Sequence, residues 1–297
     1  MKINRSEGKH VKKSVLAAAM IIGASTMMFQ GFTQLAVSAE YNKTNTIPTS
    51  YVSYMEQPSG TAKNSLPEGY KKANYTVRDI DLEYYRNQIP TSKDMAKKDA
   101  AEIGAQALWS VYGLSLEGQV VEMGYQSPTG SFPRSSWYAD VLINGERSYY
   151  FEVDSVTGEL FGVGYSRTLN QNVSIAFDAA LDKNPQEYAA LAKKTADKLN
   201  VVHGTVASVE YNGQGYGNND PDITFNIKGE NGEVALMTFS RYDKALLGIG
   251  YSAGYKYTLE QVERFEQEAK DRAVQRQKSA PSASGNQAPS LEITADD

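Results

Sequence analysis

The chain has 297 residues, a formal net charge of −5, 41% hydrophobic residues and no cysteine. Without cysteine there are no disulfides, thiol nucleophiles or thiolate metal sites, so stability must come from packed cores. The acidic balance repels phosphate backbones and argues against nucleic-acid binding.

Residues 1–39 begin with Lys2, Arg5, Lys9, Lys12 and Lys13, continue through an uncharged apolar or small run from Val15 to Phe29, and end on Val37-Ser38-Ala39. That layout predicts a secretory signal peptide. The alternative is an uncleaved anchor, since Ser14 to Val37 is long enough for the roughly 20 residues a span needs. Both place the remainder outside the cytoplasm, secreted or envelope-associated, with membrane contact only through this segment if it is retained. The net charge of −5 becomes −9 once its five basic residues and one acidic residue are set aside. His203 is then the single remaining histidine, beside Gly204 between a helix and a strand, and reads as a loop residue rather than part of a catalytic set or zinc site.

Residues 40–74 are rich in Asn, Thr, Ser, Tyr, Gly and Pro without periodicity and read as a flexible lead-in. A helix is predicted from about Ser92 to Tyr112. Thr91 with Asp94 forms a capping box, Ala96, Ala100, Ile103, Ala107 and Val111 make an apolar stripe, and Gly113 ends it. Period-two strands follow, with Asn144-Gly145 as a hairpin turn and Asp154 to Gly158 as the next turn.

The chain then repeats itself at an offset of 86 residues. Gly118 to Met123 falls on Gly204 to Val209, and Trp137, Ala139 and Val141 fall on Ile223, Phe225 and Ile227. Tyr149, Phe151 and Val153 fall on Ala235, Met237 and Phe239, and Phe161-Gly-Val-Gly-Tyr-Ser166 falls on Leu247-Gly-Ile-Gly-Tyr-Ser252. Four blocks in one register argue for a duplicated supersecondary unit. A second helix, about Pro185 to Asn200 with Asn184 as N-cap and Glu187 completing its box, precedes the second set of strands. The fold class expected is α+β, with two tandem units, each one helix packed on its own four-stranded antiparallel sheet, plus a C-terminal helix and flexible termini. The organisation is 75–166 for unit 1, 167–183 for a linker, 184–254 for unit 2, 255–277 for the C-terminal helix with an apolar edge of Leu259, Val262, Phe265 and Ala269, and 278–297 for a disordered tail.

The stretch DMAKKDAAEIGAQALWSVYGL, the strands after it, and the closing phrase YYFEVDSVTGELFGV resemble a PepSY-type domain. Asp154, Thr157 and Gly158 match the turn of that pattern, while Ser240, Asp243 and Lys244 at the same places in the second copy depart from it. The resemblance implies a bacterial binding or inhibitory module rather than an enzyme. The chain has no HExxH helix, so any peptidase it restrains would be met in trans.

Tyr125, Tyr165, Tyr211 and Tyr251 recur near strand ends and are the candidate partner-binding residues, with capping of the apolar core as the alternative. Gly162/Gly164 and Gly248/Gly250 bare one face of the last strand, for close packing or for docking a partner strand. Asn218 to Asp222 groups oxygen ligands without EF-hand spacing and reads as a solvated turn. No catalytic residue, metal or cofactor is expected. The expected role is non-enzymatic binding of an unidentified protein in the envelope or outside the cell, including restraint or assistance of a hydrolase. The alternatives are carbohydrate or cell-wall binding and, second, a carboxylate-dependent hydrolase sited between the units.

Overall fold

The structure, a computed structural model, describes residues 66–279. The signal-peptide and tail expectations therefore lie outside the described residues, except for 278 and 279. Among the described residues no helix is long and apolar enough to cross a membrane.

The elements in chain order are β1 (Thr76–Asp79), α1 (Glu83–Arg86), α2 (Lys97–Tyr112), β2 (Val120–Gln126), β3 (Ser136–Ile143), β4 (Glu146–Asp154), β5 (Leu160–Tyr165), α3 (Ala179–Lys183), α4 (Gln186–Leu199), β6 (Val206–Gly217), β7 (Asp220–Gly229), β8 (Val234–Ser240), β9 (Leu246–Gly250) and α5 (Ser252–Ser279). The fold is α+β. The short strand β1, the single-turn helix α1 and the short helix α3, which lies in the stretch read as a linker, were not foreseen. Residues 66–74, read as part of a flexible lead-in, are anchored instead: Tyr70 is buried and its hydroxyl donates to Glu102 Oε1 on α2 at 2.8 Å.

The nine strands form one mixed sheet in the order β1-β2-β3-β4-β5-β9-β8-β7-β6, with β1 parallel to β2 and the other pairs antiparallel. This corrects the expectation of two separate four-stranded sheets. Each run of four strands is a meander, but β5 and β9 pair with each other, Gly162 with Gly250, Val163 with Ile249 and Gly164 with Gly248. The repeated phrase thus pairs with its own copy about a local two-fold axis through Val163 and Ile249. Left apart, both strands would be open edges with unpaired N–H and C=O groups, and pairing removes both edges. The four glycines admit this contact. A Cβ on Gly164 would lie 2.0 Å from the Tyr150 ring, which covers the seam.

One row of side chains crosses the sheet in register: Met123, Ala139, Phe151, Val163, Ile249, Met237, Phe225, Tyr211. All but Tyr211 are 0–1% exposed. Each large member contributes about 1.5–3 kcal/mol by leaving water. Helix α2 lies over β2–β5 and α4 over β6 and β7, and the residues they bury, Ala100, Leu108, Tyr188, Ala192 and Ala196 among them, join one continuous core.

The β3–β4–β5 and β7–β8–β9 pairings coincide under the 86-residue shift, since Ala139–Phe151–Val163 and Phe225–Met237–Ile249 are both cross-strand triples. The outermost pair does not. Met123 faces Ala139, but Val209 faces Ile227 and Tyr211 faces Phe225, so β6 is slid by two residues, with bulges at Val206/Ser208 and Tyr211/Gly213. An edge strand is held by one neighbour only and can slip by one pleat period with its faces preserved.

Helix α2 starts at Lys97, five residues later than expected. The Thr91–Asp94 box bonds do form: Asp94 Oδ2 accepts from Thr91 N and Oγ1, each at 2.7 Å. The same carboxylate is also bound by neighbouring strands and turns, and Met95 N donates to Ser155 O at 2.6 Å, so the chain passes through an extended Ala96 before the helix begins. Asn184 closes α3 instead of capping α4, which begins after Pro185. Residues 66–258 belong to one compact unit, and α5 from Leu259 onward belongs to a second. Within the second unit Glu268 pairs with Arg272 one turn on, and Phe265 is exposed.

Replacing Gly164 by Val is expected to lower stability to urea by about 1–3 kcal/mol, because the seam is overpacked. Gly130→Ala, with nothing within 4 Å of the added Cβ, should stay within about 0.5 kcal/mol.

Candidate functional site

The turn between β4 and β5 is built on Asp154. Its Oδ1 accepts from the backbone N–H of Val156 at 2.8 Å and Thr157 at 2.6 Å, while Oδ2 accepts from Arg134 Nε at 2.6 Å. Arg134 also donates to Thr157 Oγ1 and to Glu159. Gly158 has φ +77°, the left-handed region where a side chain is strained.

The second copy keeps this backbone although its residues differ. Gly158 N donates to Asp154 O and Lys244 N to Ser240 O, each at 3.0 Å, and Lys244 takes φ +63°. The polar groups are exchanged across the strands. Asp220 stands at the repeat position of Arg134, and Ser240 at that of Asp154. Ser240 Oγ donates to Asp220 Oδ1 at 2.5 Å, and the missing cation comes from Arg167, whose Nε donates to Asp220 Oδ2 at 2.7 Å and whose two terminal nitrogens hold Asp243. Asn218 and Asn219 do form the turn between β6 and β7, with Asn218 exposed, but Asp220 is an interior anchor, and the Asn219 side chain clamps Leu169 through its amide N–H and carbonyl groups, at 2.7 and 2.6 Å.

The four candidate tyrosines do not gather on one surface. Tyr125 is 4% exposed and donates to Asp94 at 3.0 Å. Tyr165 stacks on Tyr149 at 4.7 Å, and Tyr211 meets Phe225 edge-on at 6.0 Å. Tyr251 is half-buried against the core, and burial pushes its hydroxyl up to about 12. Nor are Tyr125 and Tyr211 equivalent in space. The two-residue slide of β6 and its bulge at Tyr211/Gly213 together put Gln214, opposite Ile223, where Tyr125 stands opposite Trp137.

Two polar hubs fasten the chain ahead of each long helix. In the first half Asp94 also accepts from Ser135 Oγ at 2.8 Å and Ser155 Oγ at 2.5 Å. Burial alone would raise the Asp94 carboxyl, but the hydroxyls of Ser155, Thr91 and Ser135 hold it well below the usual carboxylate range. In the second half Arg241, at the repeat position of Ser155, donates to Ala176 O at 3.1 Å and to Gln214 Oε1 at 2.9 Å, and Gln214 in turn binds both backbone groups of Asp178.

That second hub brings Ile175, Phe177, Tyr216 and Tyr242 to one end of the sheet, each 41–58% exposed. On the other face of the same end lies a shallow cleft lined by Tyr165, Arg167, Asp220, Asp222, Thr238 and Leu247. It draws on β5 from the first half and on β7–β9 from the second. Burial pushes the Asp222 carboxyl up to about 6, against the pull of the Arg241 guanidinium and the Gly215 N–H. Of the four tyrosines, Tyr165 lines this cleft. The rest of the site was missed because its residues are 57 positions apart in the chain, Tyr165 to Asp222, and meet only through the seam. Among the described residues no three His, Asp or Glu side chains converge as a metal site would require.

No family model and no curated relative matches the sequence. A solved structure, the Bacillus megaterium YpeB C-terminal domain, is similar at a TM-score of 0.33 and 13% identity, over 55% of this chain and 65% of that one. A likeness of that degree establishes no family.

Gly158→Ala is expected to destabilise the fold by about 1–2 kcal/mol, whereas Lys244→Gly should raise the thermal midpoint, since both positions share one left-handed turn. Asp94→Asn should cost about 1–3 kcal/mol at pH 7. Because the folded-state carboxyl is depressed, this contribution is present above the unfolded value of about 4 and is lost as the pH falls below it. Urea titrations of wild type and variant should therefore diverge at neutral pH and converge in acid.

Proposed function

We propose that the chain is a non-enzymatic, extracytoplasmic protein-binding module made of two tandem PepSY-like halves, and that it engages its partner at the β6–β7 end of the sheet. The observation that carries this reading is the exposure of Phe177, Tyr216 and Tyr242 on the segments that Arg241 ties together through Ala176 and Gln214. Exposed large aromatic side chains on an ordered frame held by an arginine have the composition of a binding hot spot. The frame keeps the ordering cost of binding low, because Arg241, Gln214 and Asp178 already hold the segment in place.

The two sheet edges support face contact over strand addition. Strand β1 is only four residues long and carries Arg78 and Asp79, and β6 is broken by two bulges. Edges treated in this way resist pairing with another chain. The PepSY-like reading draws on the shared turn geometry and on the register common to β3–β5 and β7–β9.

The hydrolase reading has one observation in its favour, the neighbouring carboxylates Asp220 and Asp222 in the cleft. Asp220, however, spends one oxygen on Arg167 and the other on Ser240, which leaves a single available carboxyl where glycoside hydrolysis uses two.

Crosslinking and affinity capture from the native envelope should recover a protein partner with wild type and several-fold less of it with the Phe177→Ala/Tyr242→Ala double variant. Recovery of no protein, or equal recovery with both, would defeat the assignment, and retention on purified wall alone would favour the carbohydrate-binding alternative.

A further inference from the structure

The local two-fold axis gives the cleft a counterpart in the first half, and that counterpart is filled by the chain itself. The repeat positions of Asp220, Asp222, Thr238 and Leu247 are Arg134, Ser136, Glu152 and Phe161. On two of them, Arg134 and Phe161, sits the start of α5. Gly254 lies with its backbone so close to Phe161 that an added Cβ would be 2.9 Å from the Phe161 Cβ. Arg134 Nη1 faces Ala253 O at 3.4 Å, Tyr251 N donates to Phe161 O at 2.9 Å, and Phe132 packs edge-on against both Phe161 and Tyr257, at 5.1 and 5.0 Å.

In the second half Ser166 and Arg167 occupy the positions of Ser252 and Ala253, but the chain then departs. Asn219 draws Leu169 toward the β6–β7 hairpin, and Thr168, the counterpart of the buried Gly254, is exposed. What α5 covers in one half therefore remains an open cleft in the other. The first half shows by example that the Arg134–Phe161 part of this surface, the counterpart of Asp220 and Leu247, accepts a polypeptide segment.

The two surfaces differ in charge. Arg167 is neutralised by Asp220 and Asp243. In the first half the carboxylate on this face, Glu152, accepts from the hydroxyl of Ser136 at 2.7 Å. In the second half the carboxylate and hydroxyl have changed strands, Asp222 on β7 and Thr238 on β8, and among the described residues no ion pair reaches Asp222. Tyr165 and Leu247 provide apolar walls suited to a methylene stem. Arg241 and Asp220 act on this carboxylate with opposite signs, and its burial outweighs the Arg241 pull, so an ammonium group brought to it would offset desolvation.

We propose that this cleft receives a lysine side chain presented on a segment of the partner protein, with its ammonium group at Asp222 and Thr238. The inference rests on the protein-binding reading and names the chemistry of the partner at that end of the sheet.

The test uses the full chain labelled with ¹⁵N and blocked tripeptides of the form Gly-X-Gly, with X lysine, glutamine or glutamate. The lysine peptide should give saturable shifts at the amides of Thr238, Leu247 and Gly248. The glutamine peptide, and the lysine peptide with Asp222→Asn, should bind at least about tenfold more weakly. Asp140→Asn, which removes a carboxylate elsewhere on the sheet, should bind like wild type. Lysine-peptide binding should also weaken as the pH falls through about 6, where Asp222 gains its proton. No shift at those amides, or equal shifts with glutamine or with Asp222→Asn, would overturn the lysine assignment. Because Thr238→Val leaves all carboxylates in place, it serves as the second variant should Asp222→Asn misfold. Weaker lysine binding supports the site, and unchanged binding removes it. Envelope capture that persists alongside a negative peptide result would leave the protein-binding reading standing and sink this inference alone.

Discussion

The antiparallel pairing of β5 with β9 is the contact on which the rest of the molecule depends. Its two-fold axis runs through the Val163–Ile249 pair, perpendicular to the sheet, so it carries each face of one half onto the same face of the other. The apolar sides of both meanders therefore point the same way, and α2 and α4 cover one continuous core. Had the two halves met face to face, each would have kept its own core and an open edge. The four glycines make the seam narrow enough for a single tyrosine, Tyr150, to lie over Gly164 and reach Gly248.

Equivalence between the halves fades with distance from that seam. The strands β3–β5 and β7–β9 share their register, while β2 and β6, at or near the free edges, differ by one pleat period. The polar contacts behave in the same manner. The turn backbone is retained, yet the carboxylate moves to the arginine's repeat position and the arginine comes from the segment after β5: Arg134 with Asp154 in one half, Asp220 with Ser240 and Arg167 in the other. A buried ion must keep a partner, but that partner can arrive from any neighbouring strand. Such an exchange preserves the local charge balance while altering the surface outside it, and the open cleft lies where the exchange occurred.

Much of the architecture was legible in the chain. The spacing of Trp137, Ala139 and Val141 and of their counterparts marked the strands and their inward faces, Asn144-Gly145 marked a hairpin, and the helical stripes marked α2 and α4. The candidate site was not legible in this way. Tyr125 and Tyr211 share a repeat position but not a place in the sheet, because a slide of two residues leaves the alternation of side chains unchanged and so leaves no trace in the pattern. Likewise Asp94 reads as a helix cap, and it does bond Thr91. Its further bonds to Ser135 and Ser155 depend on loops that only the assembled sheet brings to it.

By itself, then, the sequence determined the two long helices, the eight meander strands with their inward faces and the duplication, since these follow from periodicity and from turn residues a few positions apart. Tertiary structure alone decided that the copies fuse into one sheet, that one copy's surface is covered by α5, and that the other's stays open. Those outcomes turn on the hydrogen-bonding demand of two strand edges and on ion pairs between residues more than fifty positions apart, Arg167 with Asp220 among them, for which local pattern carries no signal.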